Sequence, residues 1–209
     1  MPQPPILKIT EIFPSIQGEG LRQGEATIFI RLSGCNLKCS FCDTQYAWEE
    51  GRPYSVAQVL DEVRKTRENF PAEWACVTGG EPLLQNIDGL TRALKKEGLK
   101  IQVETNATIY RSLAVDWYSV SPKPEKYDCR PEYREEAKEV KIVITKNLDL
   151  ESIRRLRKWF PEKIPLLLQP QSNRKWSLDL GMTLLRQAIK AGLHNIRLSA
   201  QLHKIFGLR

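Results

Sequence analysis

The chain has 209 residues, of which 41% are hydrophobic and 27% are charged. This composition is typical of one compact globular domain, or of two very small ones, and it excludes a low-complexity chain. No apolar run reaches the ~20 residues that a membrane-spanning helix needs, and the N-terminal residues lack the pattern of a secretory signal. These features predict a cytoplasmic protein.

The net charge of +7 raises the question of nucleic-acid binding. The densest basic run, Arg154, Arg155, Arg157 and Lys158, lies in a segment with helical periodicity. Aromatic residues do not alternate with these charges, as they do on surfaces that stack single-stranded bases. We therefore interpret the run as a solvated helix face and keep nucleic-acid binding as a secondary hypothesis.

Seven short apolar runs, rich in Val, Ile and Leu, predict strands that are buried on both faces. In chain order they are Thr27–Leu32, Trp74–Thr78, Lys100–Glu104, Trp117–Val120, Val140–Ile144, Pro165–Leu168 and Ile196–Leu198.

Segments with helical spacing lie between several of these strands. Their starts carry capping residues, and two glycines mark helix ends. In chain order, one helix begins after Ser55 with Gln58 completing a capping box, one covers Leu83–Glu97 before Gly98, one covers Asp149–Phe160, and one begins after Ser177 and ends at Gly192.

This alternation predicts an α/β fold with a parallel sheet, either a full or partial barrel or a doubly wound sheet. In both architectures ligands bind at the carboxyl ends of the parallel strands. Polar segments rich in Gly and Pro follow five of the predicted strands, which predicts a site on that rim. They are Gly34-Cys35, Thr78–Pro82, Glu104–Asn106, Ser121–Lys123 and Gln169–Gln171.

Three of the five cysteines, Cys35, Cys39 and Cys42, lie on one loop after a predicted strand. In a cytosolic chain this spacing indicates metal or redox chemistry and not disulfides. A structural zinc site usually has four protein ligands, and no fourth Cys or His is near. Three thiolates suit a [4Fe–4S] cluster with one open iron, while zinc remains the alternative. Cys76 is predicted to be a buried packing residue, and Cys129 is given no role.

The spacing Cys-x3-Cys-x2-Cys of the cluster loop, residues 35–42, with Phe41 before its last cysteine, resembles the radical SAM (S-adenosylmethionine) superfamily. Thr78-Gly79-Gly80-Glu81-Pro82 resembles that superfamily's glycine-rich segment, although alone it is also typical of a tight turn. The resemblance implies one radical SAM domain over residues 1–209, a partial (β/α) barrel with about six core parallel strands. It also implies that SAM chelates the open iron and that an electron cleaves SAM to a radical, which abstracts hydrogen from the substrate.

Further segments, in matching order along essentially the whole chain, resemble the 7-carboxy-7-deazaguanine synthase family. That family contracts 6-carboxy-5,6,7,8-tetrahydropterin to 7-carboxy-7-deazaguanine, on the route to queuosine and related 7-deazapurines. The resemblance implies a carbon–nitrogen lyase that releases ammonia, regenerates SAM, requires Mg²⁺, forms a homodimer and takes electrons from a flavodoxin or ferredoxin. The segments are Phe13–Gly20, Phe29–Leu37, Cys42–Thr44, Glu104–Asn106, Ser121–Lys123, Gln169–Ser172 and Gln201–Lys204.

The resemblance also implies roles for individual residues. An amide with a carboxylate suits the mixed donors and acceptors of a pterin edge, an arginine suits the substrate carboxylate, and a threonine hydroxyl suits Mg²⁺. The implied substrate contacts are Ile16, Gln17, Gly18, Glu19, Arg31, Thr78, His203 and Arg209; the Mg²⁺ ligand is Thr44, with Asp43 beside it; the SAM contacts are Phe41, Cys42, Asp43, Gly80, Glu104, Ser121, Pro122, Lys123, Gln169, Pro170, Gln171 and Ser172.

Plainer interpretations stay open for several of these residues. Residues 16–20 are also typical of a turn, Arg31 of a surface ion pair, Asp43-Thr44 of a cap, and His203 of a packing residue. Two other functions also remain: a glycyl-radical activase with the same cysteine spacing, and a zinc-bearing nucleic-acid module. Thr44 and the C-terminal His203-Lys204 favour the synthase.

Overall fold

The computed structural model describes residues 6–49 and 51–208, and within them the chain divides into two compact units. Unit 1 contains residues 6–16, 25–105 and 109–117, except residue 50. Unit 2 contains residues 17–24, 106–108 and 118–208. The predicted substrate residue Arg209 lies outside the described residues.

Unit 1 contains five strands and two helices. They are β1 (Ile6–Ile16), β2 (Ala26–Leu32), β3 (Arg52–Ser55), α1 (Val56–Asn69), β4 (Trp74–Gly79), α2 (Asp88–Lys96) and β5 (Lys100–Thr105). The strands lie in the order β3-β1-β2-β4-β5. Strand β1 pairs in antiparallel fashion with β3 and β2, whereas β2, β4 and β5 are parallel.

Unit 2 carries four parallel strands in chain order and four helices. The elements are β6 (Trp117–Val120, whose first residue belongs to unit 1), α3 (Tyr133–Glu136), β7 (Ala137–Ile144), α4 (Leu150–Trp159), β8 (Leu166–Pro170), α5 (Lys175–Lys190), β9 (Ile196–Leu198) and α6 (Leu202–Ile205). Among the described residues, none of the helices is both long and apolar enough to cross a membrane.

The strands form because their apolar residues are covered on both faces. In β2, Ile28, Ile30 and Leu32 are fully buried on one face while Phe29 is almost fully buried on the other. All five residues of β8 are buried. Such two-sided burial explains why the parallel strands are continuous apolar runs, each large side chain contributing ~1.5–3 kcal/mol relative to an exposed one.

All seven predicted strands are present, which confirms the α/β alternation. The antiparallel strands β1 and β3 were not predicted. In β1 the alternation of buried and exposed residues is broken by a β-bulge, because Ile9 pairs with Leu32 and Glu11 pairs with the preceding residue, Arg31. Thr10 is the extra residue, so side chains before and after it change faces and the period of two is lost.

Two of the predicted helix starts are confirmed. The side chain of Ser55 accepts a hydrogen bond from the backbone N–H of Gln58, and the Gln58 side chain accepts one from Ser55, which completes the capping box. Asp149 caps α4 by accepting from the N–H of Ser152. Gly98 and Gly192 follow their helices with φ of +78° and +70°, as helix-ending glycines do.

Two other helix boundaries were wrong. The predicted helix Leu83–Glu97 is interrupted, because Pro82–Leu84 forms a separate 3-10 turn and α2 begins only at Asp88. Helix α5 begins at Lys175, two residues before Ser177. The Ser177 hydroxyl donates back to the carbonyl of Arg174 within the first turn, so it does not cap the free N–H groups of the helix.

Replacing Gly79 with alanine is expected to lower the free energy of unfolding by about 2 kcal/mol or more. Gly79 ends β4 with φ of +156°, and a Cβ there would overlap the carbonyl oxygen of Leu32 in β2. Urea unfolding monitored by circular dichroism measures the change. Gly89→Ala is the matched control, because in α2 a Cβ would reach only Val56 at 4.0 Å. It should be neutral or stabilising, and equal behaviour of the two variants would contradict the steric argument.

Candidate active site

The cluster loop is closed at its base by backbone hydrogen bonds. The N–H of Gly34 donates to the carbonyl of Ala47 at 2.8 Å, and the N–H of Glu81 donates to the carbonyl of Gly34 at 2.8 Å. The Gln85 side chain donates to the carbonyl of Ser33 and also pairs with the backbone of Lys8 in both directions. The residues before the loop and the turn that follows it are therefore held together.

The three thiols of the loop are half-buried. The N–H of Cys42 donates to the carbonyl of Cys39 at 3.0 Å, and the sulfur of Cys42 accepts from the N–H of Thr44 at 3.4 Å. A backbone N–H aimed at a sulfur favours the thiolate that binds iron. Among the described residues, the geometry gathers neither these thiols nor any other three His, Cys, Asp or Glu side chains into a preformed metal-binding group.

Gly80 provides the close approach expected of the glycine-rich segment. A Cβ on Gly80 would overlap the carbonyl oxygen of Gly34 and lie 2.8 Å from the Cβ of Cys35. The next residue, Glu81, is fully buried and accepts hydrogen bonds from the N–H of Leu83 and the hydroxyl of Thr105. The segment is therefore held by the carboxylate of Glu81, while Gly80 lies against the start of the cluster loop.

The predicted Mg²⁺ ligand Thr44 follows this loop directly. Its hydroxyl donates to the carboxylate of Asp43 at 3.1 Å, and its carbonyl accepts from the N–H of Ala47 as a 3-10 turn begins. Asp43 is exposed, and Phe41 is half-buried. A hydroxyl next to a carboxylate is a suitable pair of hard oxygen donors.

Four polar residues form a row across one face of the unit 1 sheet, where the parallel strands end. Glu11 on β1 pairs with Arg31 on β2, and Arg31 pairs with Thr78 on β4. The Thr78 hydroxyl donates to the carboxylate of Glu104 on β5 at 3.2 Å, and Gln102 donates to the same carboxylate at 3.1 Å. Glu11, Arg31, Thr78 and Glu104 are called the polar row below.

Arg31 is the cation of the polar row and is mostly buried, with 15% of its side chain exposed. Desolvation lowers the pKa of Arg31, but the hydrogen bond to Glu11 and the nearby acidic groups, including Glu104, outweigh it and raise the pKa overall. The guanidinium therefore stays charged. Arg31 forms an ion pair with Glu11. This pair is mostly buried on one face of the sheet and is not the surface ion pair of the alternative interpretation.

In unit 2, loop 17–24 carries the predicted substrate residues that follow Ile16, the last residue of β1. Gln17 is buried, and its side chain accepts from the N–H of Glu19 at 3.1 Å. A Cβ on Gly18 would overlap the imidazole of His203, so this glycine is needed for the loop to approach the C-terminal segment. The carbonyl of Gly18 also accepts from the N–H of Leu202 at 2.8 Å.

Two buried charged residues on β7 hold this loop, and neither was predicted. Lys141 donates to the carboxylate of Glu19 at 2.7 Å, and Glu139 accepts from the N–H of Leu21 at 2.6 Å and from the hydroxyl of Ser119 at 2.6 Å. Because they are two residues apart, Glu139 and Lys141 share one face of the strand. Charged residues at that spacing within an apolar strand are the signal that could have identified them.

The other predicted SAM residues lie at the carboxyl ends of the unit 2 strands. After β6, Lys123 donates to the hydroxyl of Ser121, which donates to the carbonyl of Lys141. After β8, Ser172 has a positive φ of 49° and its hydroxyl accepts from Lys204 at 3.0 Å. Pro122, Gln169 and Pro170 are buried, and Gln171 is half-buried.

The Gln169 side chain has a feature that suits a ligand-binding position. Its carboxamide oxygen is buried and accepts no hydrogen bond from the described residues. An unsatisfied buried acceptor costs free energy unless a water or a ligand donates to it.

The remaining cysteines are not on the cluster loop. Cys76 is fully buried and packs with Phe13 and Phe29, which confirms that it is a packing residue. Burial, and to a lesser extent Glu132, raises the pKa of Cys129 to about 12, so its thiol is neutral near pH 7.

Replacing Lys141 with methionine is expected to lower the free energy of unfolding by about 3 kcal/mol, because Glu19 would keep its charge without its cation. Only 6% of the Lys141 side chain and 19% of the Glu19 side chain are exposed. Chemical unfolding measures the change. Lys163→Met is the control, since Lys163 and Glu135 form an exposed pair at 3.7 Å whose loss should cost less than about 1 kcal/mol. Similar losses of unfolding free energy in both variants would show that the buried Lys141–Glu19 pair stabilises the protein no more than the exposed pair does.

Comparison with known proteins gives a consistent result. Residues 29–199 match the Radical SAM superfamily. The chain is 32% identical, over 98% of its length and 95% of the relative, to 7-carboxy-7-deazaguanine synthase from Aquifex aeolicus. It is 35% identical, over 97% of its length and 88% of the relative, to the protein of that name from Rickettsia prowazekii. The crystal structure of QueE from Escherichia coli matches with a TM-score of 0.78 and 28% identity, over 95% of each chain.

These matches confirm the predicted fold class, an α/β fold of the radical SAM type. Membership of the superfamily implies a [4Fe–4S] cluster and SAM. The chain is an enzyme that belongs to the radical SAM superfamily and, within it, to the 7-carboxy-7-deazaguanine synthase family.

Proposed function

We propose that this chain converts 6-carboxy-5,6,7,8-tetrahydropterin to 7-carboxy-7-deazaguanine with loss of ammonia, in the biosynthesis of queuosine and related 7-deazapurines. The similarity to relatives of that name over nearly the whole chain is the observation that carries the proposal. The conversion removes ammonia without net oxidation or reduction. SAM therefore acts catalytically and is regenerated.

We propose Cys35, Cys39 and Cys42 as the cluster ligands. Three half-buried thiols on a loop fixed at its base are a donor set of the chemistry that iron prefers. When bound, the cluster and SAM supply the radical that abstracts hydrogen from the substrate. The chain's own part is to hold both reactants and to exclude water.

The proposed SAM contacts follow the family resemblance. In unit 1 the absence of a Cβ on Gly80 leaves its backbone open to the methionine end of SAM. In unit 2 the buried carboxamide oxygen of Gln169 has no hydrogen-bond donor within the described residues, which supports a ligand that donates to it. The full set is Phe41, Cys42, Asp43, Gly80, Glu104, Ser121, Pro122, Lys123, Gln169, Pro170, Gln171 and Ser172.

The proposed substrate contacts bind the pterin by its polar edge and its carboxylate. A buried amide and a carboxylate, Gln17 and Glu19, offer the donors and acceptors that a pterin edge requires. Lys141 holds the Glu19 carboxylate in place through an ion pair of 2.7 Å. Arg31 is proposed to bind the substrate carboxylate. The full set is Ile16, Gln17, Gly18, Glu19, Arg31, Thr78, His203 and Arg209.

Several accompanying features also belong to this proposal. Residues 1–209 act as one radical SAM domain, which the family match over residues 29–199 supports. A homodimer and a flavodoxin or ferredoxin as electron donor follow from the family resemblance. Cytoplasmic location is supported by the cluster-type cysteine spacing, which is typical of reducing compartments.

The test is an anaerobic assay of the reconstituted enzyme with SAM, dithionite, Mg²⁺ and carboxytetrahydropterin. We expect 7-carboxy-7-deazaguanine and ammonia in equal amounts, detected by liquid chromatography and mass spectrometry, without stoichiometric consumption of SAM. A brown protein that cleaves SAM but leaves the pterin unchanged would contradict the substrate and favour the activase alternative. A colourless protein that binds zinc and RNA would favour the nucleic-acid module instead.

We further propose that Thr44 binds Mg²⁺, with Asp43 accepting from the metal's water ligands. Thr44→Ala is expected to raise the Mg²⁺ concentration for half-maximal activity by about tenfold, while SAM cleavage without substrate is unchanged. Steady-state turnover across a magnesium titration measures this. Ser40→Ala, an exposed hydroxyl on the same loop, is the control and should match the parent enzyme. An unchanged magnesium dependence in Thr44→Ala would refute the assignment.

A further inference from the structure

The β-bulge in β1 determines where the side chain of Glu11 points. Ile9 pairs with Leu32, and after the extra residue Thr10, Glu11 pairs with Arg31. In an uninterrupted ladder Glu11 would pair with Ile30 and would lie on the opposite face of the sheet. Bulges commonly redirect a side chain next to a functional site. Here the bulge brings a carboxylate to the face that carries Arg31.

One oxygen of Glu11 holds two groups together. Oε1 accepts from Nε of Arg31 at 2.7 Å and from the hydroxyl of Tyr46 at 2.9 Å. Tyr46 lies in the turn Gln45–Trp48, which follows Thr44. Glu11 therefore connects the arginine of the polar row to the segment that continues from the cluster loop.

Two aromatic rings lie next to the guanidinium of Arg31. Its guanidinium carbon lies 5.8 Å from the ring centre of Phe13 and 5.9 Å from that of Tyr46. Phe13 is itself fixed by stacking on Phe29, with ring centres 5.2 Å apart. Together with the hydrogen bond to Glu11, these contacts restrain the orientation of the planar guanidinium.

The arrangement leaves the outer edge of the guanidinium available. Arg31 has five N–H donors, and within the described residues only Nε–H is in a hydrogen bond. Only 15% of its side chain is exposed, but neither terminal NH₂ group is among the buried polar atoms that lack a partner, so both remain reachable by a ligand. A planar anion is the ligand that such a fork binds best.

We propose that Glu11 and Tyr46 are positioning residues that orient Arg31 so that its outer edge binds the carboxylate of the substrate. The inference rests on the proposed function, because that function supplies the carboxylated pterin. Glu11 acts by directing the guanidinium and by coupling it to the turn after the cluster loop. Neither residue needs to touch the substrate.

The test compares two stable ligands, 6-carboxypterin and pterin, which differ only in the carboxylate. Equilibrium dialysis against the reconstituted enzyme with SAM and Mg²⁺ gives both Kd values, and their ratio measures recognition of the carboxylate alone. The parent enzyme should prefer 6-carboxypterin. Glu11→Gln should reduce this preference by about tenfold, because the ion pair that orients the guanidinium becomes a weaker hydrogen bond to an uncharged amide. Tyr46→Phe should reduce it by about threefold.

Glu97→Gln is the matched control, because Glu97 forms an arginine–carboxylate pair with Arg64 elsewhere in unit 1. It should leave the preference unchanged. Tyr46 is 52% exposed, so loss of its hydroxyl tests the idea even if Glu11→Gln folds poorly. Equal loss of affinity for both ligands would indicate a general structural effect and overturn the inference.

The outcomes separate the inference from the proposed function. A parent enzyme that does not prefer 6-carboxypterin would overturn both. A parent enzyme that prefers it, with variants that keep or increase the preference, would overturn only the positioning role. An increased preference for 6-carboxypterin would mean that the charge of Glu11 lowers the positive electrostatic potential at Arg31, and that Glu11 does not orient the guanidinium.

Discussion

The site of unit 1 depends on the close approach of the end of β4 to the end of β2. Gly79 and Gly80 lie so near the carbonyl oxygens of Leu32 and Gly34 that no side chain fits between them. The N–H groups of Gly80 and Glu81 then bond to those carbonyls, at 3.2 and 2.8 Å. The same contact fixes the start of the cluster loop and sets Arg31 beside Thr78, because both follow from the parallel register of the two strands.

Each unit also contains an ion pair that is mostly buried. Arg31 is balanced by Glu11, and Lys141 by Glu19. Burying such groups is costly without a partner, so they are retained where geometry or chemistry needs them. Arg31 keeps N–H donors that make no hydrogen bond within the described residues, whereas the ion pair of Lys141 with Glu19 secures a loop. The two pairs therefore differ in the donors they leave unused, although their separations are equal.

Several proposed binding residues lie at or just after the carboxyl ends of parallel strands, and other residues of the same unit hold them in place. Glu11, Tyr46 and Lys141 hold other side chains, and Glu139 holds a backbone N–H and a hydroxyl. Such support keeps a flexible side chain or loop in one orientation before the ligand binds.

The sequence by itself determined the features that arise from local chemistry. The spacing of Cys35, Cys39 and Cys42, the glycine-rich segment, the seven apolar strands and the capping box at Ser55 all depend on residues close together in the chain. Helix boundaries were less reliable, because Pro82–Leu84 formed a separate turn and α5 began before Ser177.

Only the tertiary structure decided which distant side chains meet. The bulge at Thr10 reverses the face on which Glu11 lies, and the sequence does not mark it. The pairing of Glu19 with Lys141 joins residues that are 122 positions apart. Their contact depends on strand order and register, and these result from packing of the whole unit and not from local preference.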